Sequence, residues 1–274
     1  MDPASDAASG FGSGSGYAER ASALPGAIVW AKGPSAGSAG SGVRPVLPDG
    51  CMDLLWTPGR LYVAGPDTRA YVPGPGAGGR RHAGIRFAPG TAPALLGIPA
   101  HELRDRRVEL ADLRGAASAR RLVERIDSAA DPVAALEALA VRIAAARNAE
   151  GRGPDPLTAR IVRLLDGGST VAATAEATGL GVRRLHRRSL EVFGYGPKTL
   201  ARILRLQRAL ALIGRGTPYA TAAAVAGYAD QAHLAREMRL LSGLTLRAYW
   251  AGGVVPSASA KSDTPIPSGS STTA

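Results

Sequence analysis

Two stretches decide how this sequence folds: Val171-Ala-Ala-Thr-Ala-Glu-Ala-Thr-Gly179 and Tyr219-Ala-Thr-Ala-Ala-Ala-Val-Ala-Gly227. Each is a run of small residues at helical spacing, closed by a glycine and followed by a second helical pattern. Leu185 lies six residues beyond Gly179, and Leu234 lies seven beyond Gly227, so the second turn is one residue longer. Beyond the turns the copies run in step: Leu185, Arg187 and Gly194 match Leu234, Arg236 and Gly243 at a constant offset of 49 residues. A duplicated helix, Gly-containing turn, helix unit is the expected result.

In such a unit the first helix braces the second, and the second is the one that enters the major groove of duplex DNA. The first of these second helices carries an inward face of Val182, Leu185, Ser189, Val192 and Phe193, which leaves Arg183, Arg184, His186, Arg187 and Arg188 pointing elsewhere. Arginine suits guanine because its planar fork donates two hydrogen bonds to one base edge, and its charge also meets phosphates. An ordinary solvated basic surface is the competing reading; the placement after a helix and turn favours the groove. On the second copy Leu234, Met238 and Leu241 form the inward stripe, so that Gln231, Ala232, Arg236 and Arg239 lie outside. Glutamine pairs with adenine, and alanine touches a thymine methyl.

Between the copies, Pro197 to Ile213 reads as one helix with Leu200, Ile203, Leu204, Leu206, Leu210 and Ile213 apolar. At the helical rise it spans roughly 25 Å, of the order needed to hold two reading heads near one DNA turn apart. Asp155-Pro156, Gly196-Pro197 and Thr217-Pro218 mark helix starts, with Asp155 and Thr217 as capping side chains. Five to seven short helices are expected from residue 155 onward.

Charge agrees with a polyanionic partner. The chain has 33 Lys plus Arg against 22 Asp plus Glu, a formal net charge of +11. From Asp155 to Trp250 there are fourteen Lys or Arg and six Asp or Glu, so most of the excess lies in about a third of the chain. Phosphate neutralisation supplies the sequence-independent part of nucleic-acid binding. An anionic membrane surface would fit the charge as well, and no stretch holds the eighteen consecutive apolar residues of a spanning helix. RNA recognition is disfavoured by 5% aromatic content and the lack of a stacking motif on strands.

The residues just described resemble the AraC/XylS transcription regulators. The likeness is carried by Ala175–Gly179, Leu185-His-Arg187, Phe193-Gly-Tyr-Gly-Pro197, Leu206-Gln-Arg-Ala209, and Gly227-Tyr-Ala-Asp-Gln231 through Leu234-Ala-Arg236. It extends over about 95 residues and includes the turn lengths and the long connecting helix. The resemblance implies two helix-turn-helix subdomains, with groove contacts on Arg183, His186 and Arg187 in the first and on Gln231, Ala232, Ala235 and Arg236 in the second. This sequence departs from the family where Ser189 and Tyr228 replace the usual Phe, and where Gly181 replaces Ser or Thr at the start of the recognition helix.

The first half has a different texture. Ala27–Trp30, Val43–Leu47, Met52–Trp56, Leu61–Ala64 and Ile85–Phe87 are short apolar runs broken by Pro and Gly, a pattern for a small antiparallel β unit. Thr91–Leu96 and Pro99–Leu103 read as helical turns, and Ala117–Ile126 and Pro132–Arg147 as amphipathic helices, the last with Leu136, Leu139, Ile143 and Ala146 on one face. Val46-Leu-Pro-Asp-Gly-Cys-Met-Asp-Leu-Leu-Trp56, Val63-Ala-Gly-Pro66 and Gly84-Ile-Arg-Phe-Ala-Pro-Gly90 resemble an uncharacterised domain that precedes this module in some regulators. By analogy it senses a small molecule, mediates dimerisation, or both.

Catalysis is not expected. Asp49, Asp53, Asp67, His82 and His101 are the polar residues that could converge, but they lack metal-ligand spacing and a nucleophile beside a histidine. Cys51, the single cysteine, sits among apolar neighbours and reads as a small buried hydrophobe. Gly74-Pro-Gly-Ala-Gly-Gly79 reads as a loop, since no helix signal follows it. His82 with Arg80, Arg81 and Arg86 could take an anion, against the plainer reading of a charged strand edge.

The expected architecture is therefore α+β. It has disordered tails over 1–24 and 252–274, a β-rich sensor or dimerisation domain over 25–113 for which a cupin-like barrel is one candidate, a helical connector over 114–154, and an all-α DNA-binding domain over 155–251. The expected protein is a cytoplasmic, non-enzymatic regulator without cofactor or metal. Its expected partner is double-stranded DNA, with a small-molecule effector, RNA polymerase and a second copy of itself as further candidates and no membrane. The rival reading is an enzymatic or small-molecule-binding barrel whose basic helices serve assembly.

Overall fold

The computed structural model describes residues 16–33, 45–73 and 80–251. The expected tails over 1–24 and 252–274, the run beginning at Val43 and the Gly74–Gly79 loop lie wholly or partly outside them. The N-terminal part is one antiparallel sheet of β1 (Tyr17–Ala21), β2 (Ile28–Lys32), β3 (Met52–Thr57), β4 (Arg60–Ala64), β5 (His82–Phe87) and β6 (Arg107–Glu109), in spatial order β1-β2-β5-β3-β4-β6. Among the described residues every pairing is antiparallel and the order is open, with β1 and β6 as edges rather than closed on each other as a barrel requires.

β1 corrects the expected boundary at residue 25. Tyr17 to Ala21 contains Glu and Arg and exposes most of its surface, so it has no apolar signature, yet it pairs Tyr17 with Lys32 through Ala21 with Ile28. What fixes it is polar. Glu137 Oε2 pairs with Arg20 at 2.6 Å, and Glu137 Oε1 accepts from Ser22 Oγ and the Ala23 amide, both at 2.8 Å.

One face of the sheet is covered by helices: α1 (Ala92–Leu96), α2 (Leu110–Arg114), α3 (Ala116–Asp127) and α4 (Pro132–Ala149). Val29, Leu54, Trp56, Val63, Ile85 and Phe87 from the strands share a core with Ala119, Ile126, Val133, Leu136, Leu139 and Ala140. The alternation along β3 follows from its period of two: Met52, Leu54 and Trp56 point into this core, Asp53 and Leu55 away from it. Helices α3 and α4 therefore complete the sheet's core and are not a connector. A sheet of short strands cannot bury one face alone, and α4 supplies the missing layer. Its buried face is Leu136, Leu139, Ala140 and Ala144, with Ile143 half-buried; Ala146 is exposed.

After Gly151–Pro154 the chain is helical: α5 (Pro156–Asp166), α6 (Val171–Ala177), α7 (Val182–Phe193), α8 (Pro197–Gly214), α9 (Tyr219–Ala226), α10 (Gln231–Ser242) and α11 (Leu246–Ala251). Asp155 caps α5 by accepting from the Leu157 amide at 2.8 Å, Thr170 caps α6 through the Ala173 amide at 3.1 Å, and Asp230 caps α10 through the His233 amide at 2.6 Å. Thr217 does not cap: Pro218 itself takes the N-cap position of α9, and its carbonyl accepts from Ala222 at 2.8 Å.

Two measurements test this packing. Leu136 is fully buried, so Leu136→Ala is expected to cost about 2–5 kcal/mol in urea unfolding, the cost of a cavity in a core, where a free connector would show almost none. Burial alone would raise the Glu137 carboxyl, but Arg20, the Ala23 amide and Ser22 outweigh it and hold the group below its ordinary value of 4.5. A depressed acid contributes stability above its unfolded value, and that stability is lost as pH falls through the folded value. Glu137→Gln should therefore be less stable than the parent at neutral pH, and the gap should close as pH falls below 4.5.

Candidate nucleic-acid interface

Two helix-turn-helix units are present, α6–α7 and α9–α10, each closed by its glycine turn. In the first, Leu185 and Phe193 enter a core with Ile161, Leu165, Ala175, Leu200, Ile203 and Leu204. Val182, expected in that inward face, is 53% exposed: it is the first residue of α7, a position beyond the reach of the core. Ser189 is fully buried in place of the larger side chain usual in the resembling family, and its Oγ donates to the Leu185 carbonyl at 2.8 Å. That back-bond, four residues along the helix, satisfies the hydroxyl without a partner from outside.

Arg183, Arg184, His186 and Arg187 are all exposed on the N-terminal half of α7. Arg183 and Arg187 stand one turn apart on one face. Arg188 departs from the expectation. Its Nη2 lies 2.6 Å from Asp155 Oδ2 and 3.1 Å from Thr158 Oγ1, so the side chain turns back to α5 and clamps it to α7. Spacing alone cannot separate Arg187 from Arg188. Asp155, acting as cap and ion-pair partner at once, was the available signal.

In the second unit Leu234, Met238 and Leu241 face a core with Leu206, Ala209, Leu210, Ala223, Ala226 and Tyr228. Gln231, Ala232, Arg236 and Arg239 are exposed on the opposite side, with Ala235 half-buried between them. Positions 231, 232, 235, 236 and 239 recur every three or four residues and so share one face. Tyr228 occupies the second place where the family usually has Phe. Its ring is buried against His233, at 5.1 Å between centroids and nearly perpendicular, and under the Arg205 guanidinium at 4.7 Å. Burial pushes its hydroxyl up to about 12, so the phenol stays neutral.

Sequence reasoning missed the pair that fixes α10. Glu237 lies within the inward stripe, nearly buried, and its Oε1 is 2.7 Å from Arg202 Nε on α8. An acid in an otherwise apolar stripe, opposite an arginine-rich helix, was its signal. Among the polar residues of the first half, Asp49 and Asp53 do converge, on Arg86 Nε at 3.3 and 3.4 Å. Asp67 instead pairs with Arg107, and His101 sits on a separate 3-10 turn over Ala100–Glu102. Arg86, read as a charged edge residue, is buried on β5, which lies between β2 and β3. Burial pushes the Cys51 thiol up, as expected of an inert buried cysteine. Among the described residues no group of three or more His, Cys, Asp or Glu could hold a metal ion, and no helix is long and apolar enough to cross a membrane.

A helix-turn-helix domain matches residues 174–251, and a domain of unknown function, DUF6597, matches residues 29–109. No curated protein sequence matches the chain. Among solved structures it is similar to ToxT from Vibrio cholerae in a P21 crystal form, with 8% identity, 86% of this chain and 98% of that chain covered, and a TM-score of 0.45. It is also similar to wild-type ToxT from Vibrio cholerae strain SCE256 bound to an unsaturated fatty acid, with 10% identity, 76% and 88% covered, and a TM-score of 0.42. The helix-turn-helix match thus falls on the duplicated units and the helix between them, an AraC-type helix-turn-helix domain, with a DUF6597 domain on its N-terminal side.

Proposed function

We propose that this chain is a sequence-specific transcription regulator that reads two successive major-groove segments, one with α7 and one with α10. The observation that carries this is the pairing of two helices that each expose a polar or basic face along their N-terminal halves, held by one helix of 18 residues. At about 1.5 Å per residue that helix spans about 27 Å, short of one DNA turn of about 34–36 Å by less than a helix diameter. Arg183, His186 and Arg187 would read bases in the first segment, and Gln231, Ala232, Ala235 and Arg236 in the second. Arg184 and Arg239 would meet phosphates, contacts that fix register without reading sequence. Arg188 holds α7 in place.

The N-terminal domain, Tyr17 through α4, modulates this activity in a cytoplasmic protein. A small-molecule effector, a second copy of the chain and RNA polymerase are its candidate partners. The rival enzymatic reading draws little support from the first half: Asp49, Asp53 and Asp67 are engaged with arginines, and Cys51 is buried.

Selection of bound duplexes from a random pool by the full chain, followed by affinity against salt, tests the proposal. The expected motif has two parts about one helical turn apart, with log K falling by about 0.9 per phosphate contact for each tenfold rise in salt. Weak, sequence-blind binding would reduce the basic helices to a general polyanion surface. Arg187→Ala and Arg236→Ala should each cost about 1–3 kcal/mol and relax preference at one base position. Arg188→Ala should instead lower thermal stability and leave base preference unchanged; equal relaxation in all three would overturn the assignment.

A further inference from the structure

The N-terminal domain touches both helix-turn-helix units, and it touches each at the C-terminal end of its recognition helix. Gly194 is the left-handed C-cap of α7, with φ of 81°. A Cβ there would lie 2.6 Å from Pro66 Cγ and 3.2 Å from the Ala100 carbonyl oxygen, so the two backbones meet with no room for a side chain. Arg104 Nη1 also donates to the Gly194 carbonyl at 3.3 Å. At the second unit the Ala70 amide donates to the carbonyl of Leu241, in the last turn of α10, at 2.8 Å. Leu47 is buried in that unit's core beside Leu206 and Leu241. Between the two units Gln207 Nε2, on α8, donates to the Pro48 carbonyl at 2.6 Å.

Segments 46–48 and 66–71, which supply most of these contacts, form one strap, and Ala100 and Arg104 add theirs beside it. Val46 and Tyr71 exchange two backbone hydrogen bonds at 2.7 and 2.8 Å. Arg107, on the edge strand β6, holds Asp67 with two bonds of 2.7 and 2.6 Å and lies 4.0 Å over the Tyr71 ring. Gly65, just before the second segment, sits where a Cβ would fall 1.6 Å from the Leu103 carbonyl oxygen. The strap is thus anchored to the sheet at one end and to both units at the other, and it leaves the exposed halves of α7 and α10 uncovered.

We propose that this strap is a specificity determinant lying outside the recognition helices. By holding the C-terminal ends of α7 and α10, it fixes the separation and twist of their N-terminal halves, and so the spacing between the two DNA segments the chain accepts. This rests on the two-segment reading above. One added base pair moves a segment about 3.4 Å along the axis and about a tenth of a turn around it. A pair of reading heads tied by both α8 and the strap does not follow that displacement; a pair tied through α8 alone bends further.

The test uses the full chain, as the parent, Gln207→Glu and Leu47→Ala. Gln207→Glu removes the donor to Pro48 without altering a core residue, so it reports even if Leu47→Ala fails to fold. Affinity is measured on duplexes carrying both parts of the selected motif at the natural spacing and with one or two base pairs added or removed, and on duplexes carrying one part alone. The parent is expected to lose about tenfold or more on a changed spacing, the scale of one mismatched contact. In the variants that ratio should fall to about threefold or less, with affinity for a single part unchanged. An unchanged ratio in both variants, or a parent indifferent to spacing, overturns the strap proposal while leaving two-segment recognition standing. Failure to recover a two-part motif at all overturns the recognition reading instead.

Discussion

The architecture depends on one helix serving three different partners with three different faces. Along α8, Leu200, Ile203 and Leu204 complete the core of the first helix-turn-helix unit, while Leu206, Ala209 and Leu210 complete that of the second. Three of its polar positions are also assigned: Arg202 to Glu237 on α10, Arg205 over Tyr228, and Gln207 to the N-terminal domain. A helix offers only about 100° of arc to an apolar stripe of this kind. The two cores take successive turns of α8 on different faces, so the units sit side by side along its length. The same economy of surface leaves α7 and α10 free to face outward.

Two small-residue choices belong to this arrangement. Ser189 stands buried where the resembling family usually has a larger ring, its hydroxyl satisfied by the Leu185 carbonyl. Gly181, at the N-cap of α7, brings no capping side chain, so the first turn of the helix nearest the proposed groove has no side-chain partner. The second unit is built differently, with Asp230 capping α10 and Tyr228 braced by His233 and Arg205. The duplication visible in the chain therefore preserves the frame and varies its fastenings.

The helical half was legible because its information is local. Glycine turns, proline starts and apolar spacing each act within a turn or two, and Gly179, Pro197 and Leu234 report them directly. The apolar strands were legible for the same reason. What could not be read was held by distant polar contacts: β1 is tied down by Glu137 more than a hundred residues away, Arg188 is turned inward by Asp155, and Arg86 is drawn into the sheet by Asp49 and Asp53. Helices α3 and α4 carry an apolar face that any layer would have satisfied, and only the sheet's need for cover assigns them to it.

The strap contrasts with both halves in how its position is specified. Apolar burial is proportional to area and indifferent to direction, so it holds domains together without fixing their angle. Beneath the strap the contacts are directional. Asp49 lies 2.9 Å from the Cys51 amide and 3.3 Å from Arg86, whose guanidinium is also shared with Asp53, and Asp53 accepts from Trp30 Nε1 at 2.9 Å. Burial pushes the Asp53 carboxyl up, against the pull of Arg86, so two acids are held by one base at some cost in stability. Replacing such a cluster by apolar residues could match its energy but not its geometry. The segment from Asp49 back to Leu47 leaves this cluster and enters the helical core within two residues, so little chain separates the sheet's polar cluster from the second unit.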